Sequence, residues 1–211
     1  MGKIKQGILG GFNGTTGSVV GASWKGIAYM RGKAQSIKNP RTESQMENRG
    51  NFGFISDLMS KALAVVNDGF KAVSVKKSPF NTAVQTNMKS MVGDNGEISL
   101  QFAKFSDGNL VSPATATLTD GESSITATIG SLGSTFEGSK VIAVSVFTDA
   151  QNKPLYLGYN SAEVVPADSQ VVIAIAVPSA LAYDKAYVYA FSYDDATKSA
   201  SPTFYAGLIQ G

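Results

Sequence analysis

The chain has 211 residues, 43% of them hydrophobic and only 16% charged, long enough for one good core, or for one domain plus an assembly region. It has no cysteine and no histidine, which excludes disulfides, Cys and Ser–His nucleophiles and the commonest metal ligand. The net charge of +2 hides a split: residues 1–50 hold eight Lys or Arg against two acids, the remainder ten against fourteen.

Opposite fields at the two ends of one chain favour head-to-tail association, or contact with an anion at one end. The low charge suits a surface on which subunits pack, and equally a secreted-type β protein. No stretch approaches the ~20 apolar residues of a membrane helix. The apolar pair Ile8-Leu9 is too short for a signal-peptide core. Gln6 stands where myristoylation wants Ser or Thr. The expectation is a chain without a membrane span or signal peptide, made in the cytoplasm and assembled into a virion or an extracellular structure.

Glycine recurs too often between Gly7 and Gly21 for a helix. Alternation predicts strands near 17–23 and 27–33 with a tight turn at Lys25-Gly26. Residues 1–36 thus read as a basic, Gly-rich β-hairpin arm, which cannot stand alone in water. Its apolar side chains Ile4, Ile8, Leu9, Phe12, Val19, Val20, Trp24, Ile27 and Tyr29 are candidates for burial against a neighbour. Lys3, Lys5, Lys25, Arg31, Lys33, Lys38 and Arg41 are candidate contacts to an anion or acidic partner. The glycine spacing does not fit a phosphate-binding loop, because no Gly-Lys-Ser/Thr and no strand–turn–helix context accompany it.

Residues 37–95 read as helical. Thr42 and Gln45 form a capping box for a helix over about 43–66, with Phe52, Phe54, Ile55, Leu58 and Met59 in a wide apolar stripe. Ser78-Pro79 opens a second helix to about Met91. The turn Asp94-Asn95-Gly96 marks a domain boundary.

From there the period is two. Strands are predicted at 97–105, 111–118, 123–129, 140–148, 154–160, 169–177, 185–193 and 202–209. The fold class is therefore mainly β with a helical N-terminal part, residues 96–211 forming an immunoglobulin/fibronectin-III-like β-sandwich. In the 185–193 strand Tyr187, Tyr189, Phe191 and Tyr193 point one way. That face is core, an interface, or a strip for sugar stacking; core is favoured, because aromatics dominate buried area. Asp194-Asp195 is a turn signal rather than a catalytic pair.

Gly2-Lys3-Ile4-Lys5-Gln6-Gly7-Ile8-Leu9-Gly10-Gly11-Phe12, Gly17-Ser18-Val19-Val20-Gly21, Trp24-Lys25-Gly26 and Lys38-Asn39-Pro40-Arg41-Thr42 together resemble an uncharacterised Bacteroidota family of unknown function. Val188-Tyr189-Ala190-Phe191 and the stretch from Ser199 to Tyr205 are similar to that family's tail. The resemblance implies a bacterial or phage source and the two-part organisation. It implies no catalytic or ligand residues.

The expected function is a structural, self-assembling protein, a phage virion subunit or a bacterial filament subunit, joined through its arm. It is expected to be no enzyme and to need no cofactor or metal. Its partners would be other copies of itself and other virion or surface proteins. The alternatives are a glycan- or protein-binding sandwich using its loops or the face of Tyr187, Tyr189 and Tyr193, and a nucleic-acid-binding virion protein using the basic segment.

Overall fold

The computed structural model describes residues 3–4, 10–36, 40–121, 123–130, 132, 139–164 and 170–211. The chain divides into two compact units, 1–42 and 43–211.

The first unit is an antiparallel sheet of β1 (Lys3–Ile4), β2 (Phe12–Thr16), β3 (Val19–Trp24) and β4 (Ile27–Gly32), in that order. The expected hairpin is β3–β4, and β2 and β1 extend it. Its two-residue turn places Lys25 at φ 48° and Gly26 at φ 82°. Two successive left-handed residues match the twist of the flanking strands, which is why Lys-Gly can close this hairpin. Among the described residues of this unit only Gly21 is buried.

The second unit begins with α1 (Glu43–Lys61), α2 (Leu63–Gly69) and α3 (Pro79–Ser90). The single helix expected over 43–66 is interrupted at Ala62 (φ −92°, ψ 15°) and runs on to Gly69. Hydrogen bonds from Ala62 N–H to Leu58 O and from Val66 N–H to Ala62 O carry the ladder across the break. Ser78 caps α3 by accepting from Asn81 N–H, with Pro79 at the first position.

Strands follow: β5 (Thr115–Asp120), β6 (Ser124–Gly130), β7 (Lys140–Thr148), β8 (Pro154–Glu163), β9 (Gln170–Ala176), β10 (Lys185–Asp194), β11 (Ser199–Ala200) and β12 (Phe204–Gln210). They form two antiparallel sheets. One is ordered β11-β10-β7-β8, with β12 also on β10; the other is β5-β6-β9. The strand expected at 97–105 does not form. A 3-10 turn occupies Leu100–Phe102, and only Val92 and Ile98 make an isolated bridge. Side chains take the place of a ladder there. Asn87 serves the backbone of Lys104, and Thr203 Oγ1 accepts from Phe105 and Ser106 N–H at 2.9 Å each.

Three layers result. Ile125, Ala127 and Ile129 of β6 and Val171, Ile173 and Ile175 of β9 pack against Val141, Ala143, Phe147, Ala186, Val188 and Ala190 of the larger sheet. The opposite face of that sheet, with Ile142, Val144, Val146, Tyr189, Phe191 and Tyr193, packs on Ile55, Leu58, Met59, Val66 and Phe70 of the helical segment. Strand β7 is therefore buried on both faces beyond its first residue. The turn at Asp94–Gly96 lies within this unit, whose helices and strands share one core.

Candidate functional site: the basic N-terminal sheet

Within residues 1–42 the ionisable side chains include seven Lys or Arg and no Asp or Glu; residues 43–211 hold eleven against sixteen. The segment 1–42 thus carries +7 by sequence, while residues 43–211 carry −5.

The register fixes what this sheet presents. Trp24 pairs with Ile27 across the two-residue turn, and such a closing pair is hydrogen-bonded. Bonded pairs alternate, so Ala22–Tyr29 and Val20–Arg31 are bonded too. Lys33 N–H continues the series by donating to Ser18 O at 2.7 Å. The backbone groups of Ala28, Met30 and Gly32 therefore point away from β3. Among the described residues β4 pairs with β3 alone, so these groups form an open edge.

Directly paired residues share a face. Val20, Ala22 and Trp24 lie on one face with Ile27, Tyr29 and Arg31; Val19, Gly21 and Ser23 lie on the other with Ala28, Met30 and Gly32. The second face is partly covered. Phe12 crosses Gly21 so closely that a Cβ there would collide with both its carbonyl oxygen and its ring, and Gly11 crosses Ala28 in the same way. A groove of about 340 Å³ remains, lined by Lys3, Phe12, Asn13, Ser23 and Ala28 with Gly11 and Gly26. The first face is bare: Trp24 is 57% exposed, Ile27 72% and Tyr29 48%, and Met30 on the edge is 70% exposed.

Of the apolar residues expected to seek burial, Trp24, Ile27 and Tyr29 are exposed, and Phe12, Val19 and Val20 are half-buried. Ile8 and Leu9 lie outside the described residues, and of Ile4 only the backbone is described. Lys3, Lys25, Arg31, Lys33 and Arg41 are exposed; Lys5 and Lys38 lie outside the described residues. Sequence alternation did not single out Met30, although its place on the last strand of the sheet puts it at the open edge.

The tyrosine face of β10 is core. Tyr189 is fully buried and donates its hydroxyl to Leu100 O at 2.6 Å; burial holds its pKa well above the ordinary tyrosine range. Tyr193, four residues along the same strand, is also buried, with Lys140 Nζ 5.1 Å from its ring centre. Tyr187 is half-buried and donates to Asn152 Oδ1 at 3.1 Å. These rings pack toward the helical segment, so they offer no open strip for stacking a sugar.

Three turn carboxylates are held by their own surroundings. Asp194 accepts from Thr197 Oγ1 at 2.7 Å and from Ala196 N–H at 2.8 Å, bonds that lower its pKa. Asp195 is lowered chiefly by Lys140, whose Nζ lies 2.7 Å away. Both are thus held ionised, the reverse of what a general acid needs. Asp149 closes its turn by accepting from Gln151 and Lys153 N–H; Asp168 lies outside the described residues. Among the described residues no three acids come together as a metal site. No described helix is long and apolar enough to cross a membrane.

A family model, that of a family of unknown function (DUF6266), matches residues 11–207. No curated protein and no solved structure matches the chain.

Proposed function

The chain belongs to DUF6266, a family of unknown function, and from its own geometry we propose a structural, self-assembling protein. It serves as a subunit of a phage particle or of a bacterial filament, with a non-catalytic role, and joins other copies through residues 1–42. The observation that carries this reading is the open edge of β4, whose six residues are all exposed. A strand edge with unpaired N–H and C=O groups is a template for another strand. The small unit lacks a buried side chain among its described residues, and docking would bury the Trp24, Ile27 and Tyr29 that it leaves exposed.

The larger unit is the rigid body. Its strand order supports an immunoglobulin/fibronectin-III reading, with β5-β6-β9 in the places of strands A, B and E and β8-β7-β10-β12 in those of C′, C, F and G. Its sheet edges are poorer templates. Asn160 Nδ2 of β8 reaches across to Ala174 O of β9 at 2.7 Å, and β12 runs alongside β5. Strand addition between copies is therefore assigned to the N-terminal sheets.

Met30→Pro tests this. Its N–H points outward, so proline removes a donor from the open edge and none from the β3–β4 ladder. Sedimentation velocity should show the native chain as oligomers and the variant as monomers of unchanged circular dichroism. A native chain that sediments as a monomer at every concentration would overturn the proposal.

A glycan- or protein-binding sandwich is the other reading. The burial of Tyr189 and Tyr193 closes its tyrosine face, so binding would fall to the sandwich loops.

A further inference from the structure

We propose that the bare face of the N-terminal sheet binds single-stranded nucleic acid, with Trp24 and Tyr29 as stacking platforms and Arg31 and its neighbouring lysines as phosphate contacts. Trp24 pairs with Ile27 and Tyr29 with Ala22, so the two rings are diagonal neighbours on one face, with Cβ atoms roughly 7–8 Å apart. Arg31 follows Tyr29 on the same face, paired with Val20. Two adjacent aromatic rings beside a guanidinium on an exposed sheet are what sequence-tolerant binding of single strands requires, because every base has a flat face to stack. The face is one six-residue strand long, about 20 Å, which suits a few nucleotides.

Charge decides between a polyanion and a protein surface as the occupant. Seven cations and no acid in 42 residues leave this unit with nothing to offer the cations of a mixed protein surface. A phosphate backbone presents one sign only. Stacking two copies face to face would set +7 against +7 without the backbone hydrogen bonds that offset the same repulsion at the strand edge. The face and the open edge are distinct: the side chains of the face project perpendicular to the sheet, and the outward backbone groups of Ala28, Met30 and Gly32 point along its plane. Nucleic-acid binding is thus compatible with the assembly proposed above and does not depend on it.

Trp24 is the only tryptophan in the chain, so tryptophan fluorescence, excited selectively over the tyrosines, reports this face alone. The experiment titrates the full chain with an oligothymidylate of about 16 nucleotides. Saturable quenching is expected, with affinity falling roughly 50-fold between about 50 and about 200 mM salt if four cations contact phosphate. Tyr29→Ala should weaken binding about tenfold at one salt concentration. Arg31→Gln should flatten the salt dependence by just under one unit of logarithmic slope. Both side chains are exposed, and circular dichroism checks that each variant keeps its fold. Absence of quenching at low salt overturns the proposal, as does quenching that neither variant changes. If Trp24 fluorescence responds to protein concentration and not to the oligonucleotide, the face is an interface between copies and the proposal fails.

Discussion

Asn87 does for the segment after α3 what a neighbouring strand would do elsewhere. It is fully buried; its Nδ2 donates to Ala83 O at 2.9 Å and Lys104 O at 2.7 Å, and its Oδ1 accepts from Lys104 N–H at 2.8 Å. An Asn→Ala change at 87 leaves the N–H and C=O of Lys104 without their partner. The expected loss is about 2–3 kcal/mol, measured by urea unfolding. Tyr189 couples stability to pH. Burial comes first in raising its pKa, followed by the neighbouring Tyr205 and Tyr187. Between pH 10 and that raised value the unfolded chain gives up the phenolic proton while the folded chain keeps it. Stability therefore falls as pH climbs above about 10. Melting temperatures followed from neutral to alkaline pH should show that fall, and Tyr189→Phe should make it shallower, at the expense of the bond to Leu100 O. Neither residue's role was legible in the sequence. An asparagine in a helix and a tyrosine in an alternating strand have many uses, and only the partners brought in from distant segments choose among them.

Elements were legible where local chemistry alone decides them. Lys25-Gly26 between two alternating runs specified β3–β4, because few residue pairs accept two left-handed positions. Ser78-Pro79 specified the start of α3, because cap and fixed φ act within one turn. The β10 alternation also held, down to its aromatic face lying in the core. The segment 97–105 misled because Ile98, Leu100 and Phe102 alternate with Ser99 and Gln101 as in a strand. A strand also needs a partner ladder, and here Asn87 and Thr203 satisfy the backbone first. The break at Ala62 was equally hidden, since alanine is the best helix former and nothing around it signals a stop. In the N-terminal sheet the sequence named most of the exposed side chains. It could not say which of them share a face or that Met30 borders an open edge, since both follow from register.

At the scale of the whole molecule, charge separates the two units more sharply than a division at residue 50 shows. Glu43, Glu47 and Arg49 belong to the larger unit, which leaves 1–42 without an acid. Joining copies edge to edge through β4 therefore brings two +7 segments together. Assembly should strengthen as salt rises to about 0.5 M, where screening acts within a few ångströms. Light scattering across a salt series checks this, and assembly that dissolves with salt would instead point to contact between the basic sheet and the acidic unit of a neighbour. The helices of the larger unit occupy a surface that a free-standing two-sheet protein would leave wet. Since β7 and β10 are lined with apolar groups front and back, the helical layer and the β5-β6-β9 layer lean on the same wall from opposite sides. A residue swap that tilts that wall by a fraction of an ångström disturbs two interiors at once, so variation in this chain is steered away from its middle and toward its margins.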